Sequence, residues 1–99
     1  MRVFDIVGNM ITKKAIIHND RGIHVRPSQV ISTSMKGYSG SITIVSDMLT
    51  IYDTNTMDIL SLGLVKEDEI TIKVEGPEEQ ETNQKLVNLF ETEFDFPPR

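Results

Sequence analysis

The chain predicts an α+β domain, an antiparallel four-stranded sheet covered on one face by three helices in the order β-α-β-β-α-β-α. Three observations predict it. Ile70, Ile72 and Val74 alternate strictly with Thr71, Lys73 and Glu75, the period of a strand with one face on a core and the other in water. Two further β-rich segments lie close together at 41–46 and 49–52. Three other segments carry apolar residues at helical spacing, bounded by proline and glycine.

Taken in order, Ile11 to Ile17 is the first strand, β-branched but imperfectly alternating. The first helix begins near His24 and carries Pro27 early, where a missing N–H costs little. Val30, Ile31 and Met35 are its apolar stripe. Lys36 complements its C-terminal dipole and Gly37 takes the left-handed cap. Ser41 to Ser46 and Leu49 to Tyr52 are strands joined tightly through Asp47 and Met48. A short second helix runs from about Asn55, its N-cap, to Leu62, with Gly63 as the stop. Four apolar side chains, Met57, Ile59, Leu60 and Leu62, do not fit one face of it, so some reach the surface. Glu69 to Glu75 is the last strand. The third helix follows Pro77, has Glu78 and Glu79 in an acidic first turn, and buries Leu86, Val87, Leu89, Phe90 and Phe94. Its first half is polar, so its anchoring is expected from the C-terminal turns.

Ninety-nine residues make one domain. Residues 10–95 form it, with 1–9 as an N-terminal extension and 96–99 as a tail. At 38% hydrophobic and 25% charged the composition is that of an ordinary globular chain. A net charge of −5 with no basic run argues against nucleic-acid binding. The chain has no cysteine, so neither a disulfide framework nor a thiolate metal site is available. No segment approaches the ~20 apolar residues of a membrane span, and 1–11 lack the apolar run of a signal peptide. The reading is a cytoplasmic monomer without membrane insertion.

Two histidines are present. His24 lies in Arg21-Gly22-Ile23-His24-Val25-Arg26-Pro27, where a helix starts and unpaired backbone N–H groups favour an anion. The helix field disfavours the imidazolium, and the neutral ring is the nucleophilic form. Arg26 can fork two hydrogen bonds onto phosphate oxygens, and Gly22 permits a tight turn. The residues alone leave a second reading open, in which His24 caps a helix beside a solvated arginine. His18 sits at a strand end beside Asn19 and Asp20 and reads as structural or simply exposed. A metal site from His18, Asp20 and His24 follows no recurring ligand spacing. A hydrolase built on His24 would lack a neighbouring nucleophile.

The segment Gly22-Ile23-His24-Val25-Arg26-Pro27 resembles the phosphorylation-site motif of the HPr family, histidine phosphocarriers of the bacterial phosphoenolpyruvate-dependent phosphotransferase system. Lys36-Gly37-Tyr38, Ser61-Leu62-Gly63-Leu64, Glu69-Ile70-Thr71-Ile72 and Glu75-Gly76-Pro77-Glu78-Glu79 are similar to later family blocks, without a gap. The resemblance runs from Met10 to about Phe94 and implies an open-faced β-sandwich. It implies that His24 accepts a phosphoryl group on Nδ1 from phospho-enzyme I and passes it to enzyme IIA-type acceptors, needing no cofactor. Arg26 would stabilise the phosphate, with Gly22, Val25 and Pro27 shaping the site. Such a protein is a relay and turns over no small substrate by itself. The implied docking patch maps to Gln29, Thr33, Met57 and Leu60. Many relatives carry a kinase-phosphorylated serine at the start of the second helix. Asn55 holds that position, so the resemblance implies a lost switch, with Thr54 and Thr56 as flanking hydroxyls. Arg21 departs from the small polar residue usual there; a further cation either holds the phosphate more tightly or repels a partner's arginine. A nitrogen-branch relative, to which the Gly-Pro-Glu-Glu turn and the Leu-Phe…Phe-Asp ending are also similar, is an alternative. Another is a binding module that regulates an enzyme or transcription factor without relay.

Overall fold

The computed structural model describes residues 10–94. The elements are β1 (Ile11–Ile16), α1 (Val25–Met35), β2 (Ser41–Val45), β3 (Thr50–Ile51), α2 (Thr56–Ser61), β4 (Glu69–Glu75) and α3 (Glu79–Glu91). The expectations for 1–9 and for 96–99 lie outside the described residues.

The sheet is antiparallel throughout, in the order β1-β4-β2-β3. Its register follows from the alternation in β4. Ile70 faces Ala15; Ile72 faces Lys13 on one side and Ile44 on the other; Val74 faces Ile11 and Ile42. Each row puts its apolar members on the helix side, because a slip by one residue would turn Ile70, Ile72 and Val74 into water. The opposite face carries Thr12, Lys14, Thr43, Thr71 and Lys73 in matching rows. One core then forms between sheet and helices, with Ile31 and Met35 from α1, Ile59 from α2, and Leu86, Val87 and Phe90 from α3.

The structure corrects several local expectations. Val30 is 37% exposed, because α1 buries the stripe Pro27, Ser28, Ile31 and Met35, and Val30 lies outside it. The third strand is only Thr50–Ile51, since Ser46 N–H closes a four-residue turn on Leu49 O at 2.9 Å and uses up the predicted strand end. Glu78 is the N-cap of α3 in left-handed conformation, so Glu79 and Glu81 make the acidic first turn. Leu89 is half-buried. The polar first half of α3 is anchored after all. Asn83 is fully buried there, and its Nδ2 donates to Ile11 O at 2.6 Å and Ile72 O at 2.9 Å. One buried amide thus ties the helix to two adjacent strands, although its Oδ1 is buried without a hydrogen-bond partner.

Candidate functional site

The site begins at the turn from β1 into α1. Asn19 O accepts from Gly22 N–H at 2.9 Å, and Gly22 takes φ +70°. A side chain at Gly22 would place its Cβ 2.2 Å from Leu64 O, so conformation and space both require glycine. Ile23 N–H donates to that same Leu64 O at 3.0 Å, and the Ile23 side chain is buried. These contacts fasten the turn to the chain after α2.

His24 is then the N-cap of α1, with extended backbone (φ −85°, ψ −161°) and no side-chain capping hydrogen bond. Its residue is exposed, so the imidazole faces solvent where the helix starts. The first intrahelical bond is Ser28 N–H to His24 O at 3.0 Å, which leaves the Val25 N–H ahead of the ladder. Pro27 supplies no donor. The first turn of α1 contains no acidic residue, whereas that of α2 holds Asp58 and that of α3 holds Glu79 and Glu81. The positive end of α1 is thus not neutralised by a carboxylate of its own first turn.

Arg26 stands two residues on, half-buried and engaged by a partner rather than a freely solvated charge. Val25 is 51% exposed beside His24. Gln29 and Thr33 are exposed on α1. On α2, Ile59 and Leu62 enter the core while Met57 is 73% exposed and Leu60 half-buried, the division that helical spacing requires. Asn55 caps α2 as expected, its Oδ1 accepting from Asp58 N–H at 2.8 Å.

His18 is exposed beyond the end of β1. Asp20 faces Lys66 Nζ at 2.9 Å, and the ammonium, by hydrogen bond and then by charge, holds the Asp20 carboxyl below its usual value and is itself raised. Among the described residues, no group of three or more histidines, cysteines or acids is gathered as for a metal ion. No helix among them is long and apolar enough to cross a membrane. Sequence reasoning passed over Asn19, which is buried and bonded to Gly22 and Phe94. Its signal was an asparagine three residues before a glycine, the composition of a side-chain-closed turn.

Residues 11–92 match the family model of the PTS HPr component phosphorylation site. The phosphocarrier protein HPr of Chlamydia muridarum is 34% identical over 79 residues, 80% of this chain and 76% of its own. That of Borreliella burgdorferi is 32% identical over 83 residues, 84% of this chain and 96% of its own. The phosphocarrier protein NPr of Klebsiella oxytoca is 30% identical over 88 residues, 87% and 98% of the two chains. The crystal structure of HPr from Bacillus anthracis shares the fold, with a TM-score of 0.76, 24% identity, and coverage of 83% and 98%. The chain belongs to the HPr family of phosphocarriers of the bacterial phosphotransferase system.

Proposed function

We propose that His24 accepts a phosphoryl group from phospho-enzyme I and hands it to an enzyme IIA-type protein. The observation that carries this reading is the exposed His24 ring at the N-cap of α1, beside Arg26 and without an acidic first turn. In the step, His24 Nδ1 attacks phosphorus, a new N–P bond forms, and the N–P bond to the donor histidine breaks. The donor imidazole leaves with the bonding pair, and the reverse sequence on the acceptor releases His24. Arg26 supplies a guanidinium for the phosphate oxygens, and the helix start adds the Val25 N–H. Gly22, Val25 and Pro27 shape the turn and first helical residues, while Gln29, Thr33, Met57 and Leu60 offer the partner an apolar surface with polar neighbours. Asn55 keeps the capping task but has no hydroxyl, so a kinase acting at that position finds nothing to phosphorylate.

Incubation with phosphoenolpyruvate and enzyme I, followed by mass spectrometry, tests the reading. An acid-labile, base-stable adduct should form on the wild type and on His18→Ala and be absent from His24→Ala. An adduct that survives His24→Ala overturns it. Arg26→Ala should slow transfer by about one to two decades, the worth of a charge-assisted hydrogen bond.

A nitrogen-branch role is the second reading, favoured by the Klebsiella oxytoca NPr match at 30% identity over 98% of that protein. Presenting the phosphorylated chain with sugar-type and nitrogen-type IIA acceptors separates the two by which one is loaded faster.

A further inference from the structure

We propose that Asn19 is a positioning residue for phosphoryl transfer, holding the peptide that presents His24 and tying it to the backbone that follows α3. The proposal rests on His24 being the acceptor. Asn19 is only 8% exposed, and both ends of its amide are bonded: Nδ2 donates to Gly22 O at 2.7 Å, and Oδ1 accepts from Phe94 N–H at 2.9 Å.

The first of these bonds completes a clamp. A peptide unit is rigid and planar, so holding both its polar ends fixes its orientation. The Gly22–Ile23 unit is held in this way, its carbonyl by Asn19 and its N–H by Leu64 O at 3.0 Å. Gly22 lies close against the Leu64 backbone, whose O would be 2.2 Å from a Cβ at this position. Ile23 is pinned by a buried side chain, and the next residue is His24. The start of α1 and the direction of the His24 backbone therefore follow from where that one peptide is held. The second bond brings in the chain beyond α3, so the turn, Leu64 and Phe94 are linked through two neighbouring amides, the Asn19 side chain and the Gly22–Ile23 peptide.

Asparagine is specified by this geometry. Its side chain offers a donor and an acceptor together; an aspartate offers acceptors only and would face Gly22 O with a negative charge. Serine and alanine do not span both partners. Transfer between two proteins requires the acceptor nitrogen in line with the departing group, and small misplacements slow it steeply.

The test measures single-turnover phosphoryl acceptance from phospho-enzyme I for wild type, Asn19→Ala, Asn19→Ser and Asn19→Asp, with folding checked by circular dichroism and the assay run below each melting temperature. The expected result is a loss of about tenfold to a hundredfold in the rate at saturating donor, with the half-saturating donor concentration unchanged. A residue serving stability alone would lower melting temperature and leave that saturated rate intact. If Asn19→Ala fails to fold, the serine and aspartate variants carry the comparison. Phe94→Pro, which lacks the N–H, should lose part of the rate relative to Phe94→Ala, which keeps it. Folded Asn19 variants transferring at the wild-type rate, while wild type carries phosphate on His24, would overturn the role of Asn19 alone. Wild type without phosphate on His24 would overturn the acceptor assignment instead.

Discussion

The starts of α1 and α3 are built on the same plan and differ in charge. Each follows a glycine with positive φ packed against backbone, Gly22 near Leu64 O and Gly76 near Gly40 Cα. In α3 the helix start carries its own negative charge. Its N-cap Glu78 makes no side-chain capping bond, but Glu79 and Glu81 occupy the first turn, and Glu79 Oε2 accepts from Gly76 N–H, just ahead of the helix, at 2.9 Å. In α1 the cap is an exposed histidine, likewise without a capping bond, and no carboxylate sits in the first turn. A carboxylate in the first turn stabilises a helix and repels an incoming anion. The difference teaches that α3 offsets its positive end within its own first turn and α1 does not, a difference that favours an anion at α1 if His24 is the acceptor proposed above.

The largest effect should come from the turn that holds α1 open. Gly22→Ala meets both an unfavourable left-handed φ and Leu64 O, and should cost about 3 kcal/mol or more in urea unfolding. Gly63→Ala, with φ +58° and nothing within 4 Å, should cost only about 1–2 kcal/mol. Equal losses would show that close packing against Leu64 is not what makes Gly22 special.

The charge difference can be attacked directly. Val25→Glu gives α1 the acidic first turn it lacks and should add about 0.3–1 kcal/mol of stability. The same change should slow phosphoryl acceptance by about tenfold, a cost of about 1.4 kcal/mol in the barrier. Glu79→Gln, its counterpart on α3, should lower stability slightly and leave acceptance unaltered. A Val25→Glu protein that accepts phosphate at the wild-type rate would break the comparison.

The smallest effect should be the pH dependence of the surface pair beside the site. Asp20 is lowered by Lys66, so its contribution to stability is present above the unfolded carboxyl value of about 4 and lost as pH falls through its lower folded value. Lys66 is raised, so its contribution is present below about pH 10.4 and lost as pH rises through its higher folded value. Both side chains are exposed and screened, so the gain is slight. Melting temperatures of wild type and Asp20→Asn should differ between these limits and converge in strong acid.

Much of this was legible in the residues. The alternation of Ile70, Ile72 and Val74 predicted β4 at its observed limits, because a one-sided sheet writes its register into sequence. Gly22, the His24 helix start and the Asn55 cap were legible because each depends on local backbone chemistry. What escaped was long-range. Asn83 looked like part of a polar half-helix, and its partners lie on β1 and β4. Asn19 was passed over as a neighbour of His18, yet it meets Phe94 75 residues away. The exposure of Val30 depends on which side of α1 its neighbours cover, which spacing alone does not specify.

The central claim is that the open start of α1 receives the phosphoryl group on His24. Amide proton–nitrogen spectra recorded before and after loading by phospho-enzyme I test it most directly. The account predicts that the His24 ring resonances change and the Val25 amide moves strongly downfield as it bonds the phosphate, while Glu79 and Thr82 at the start of α3 stay in place. Shifts centred on His18, or a loaded protein with an unmoved Val25 amide, would contradict it.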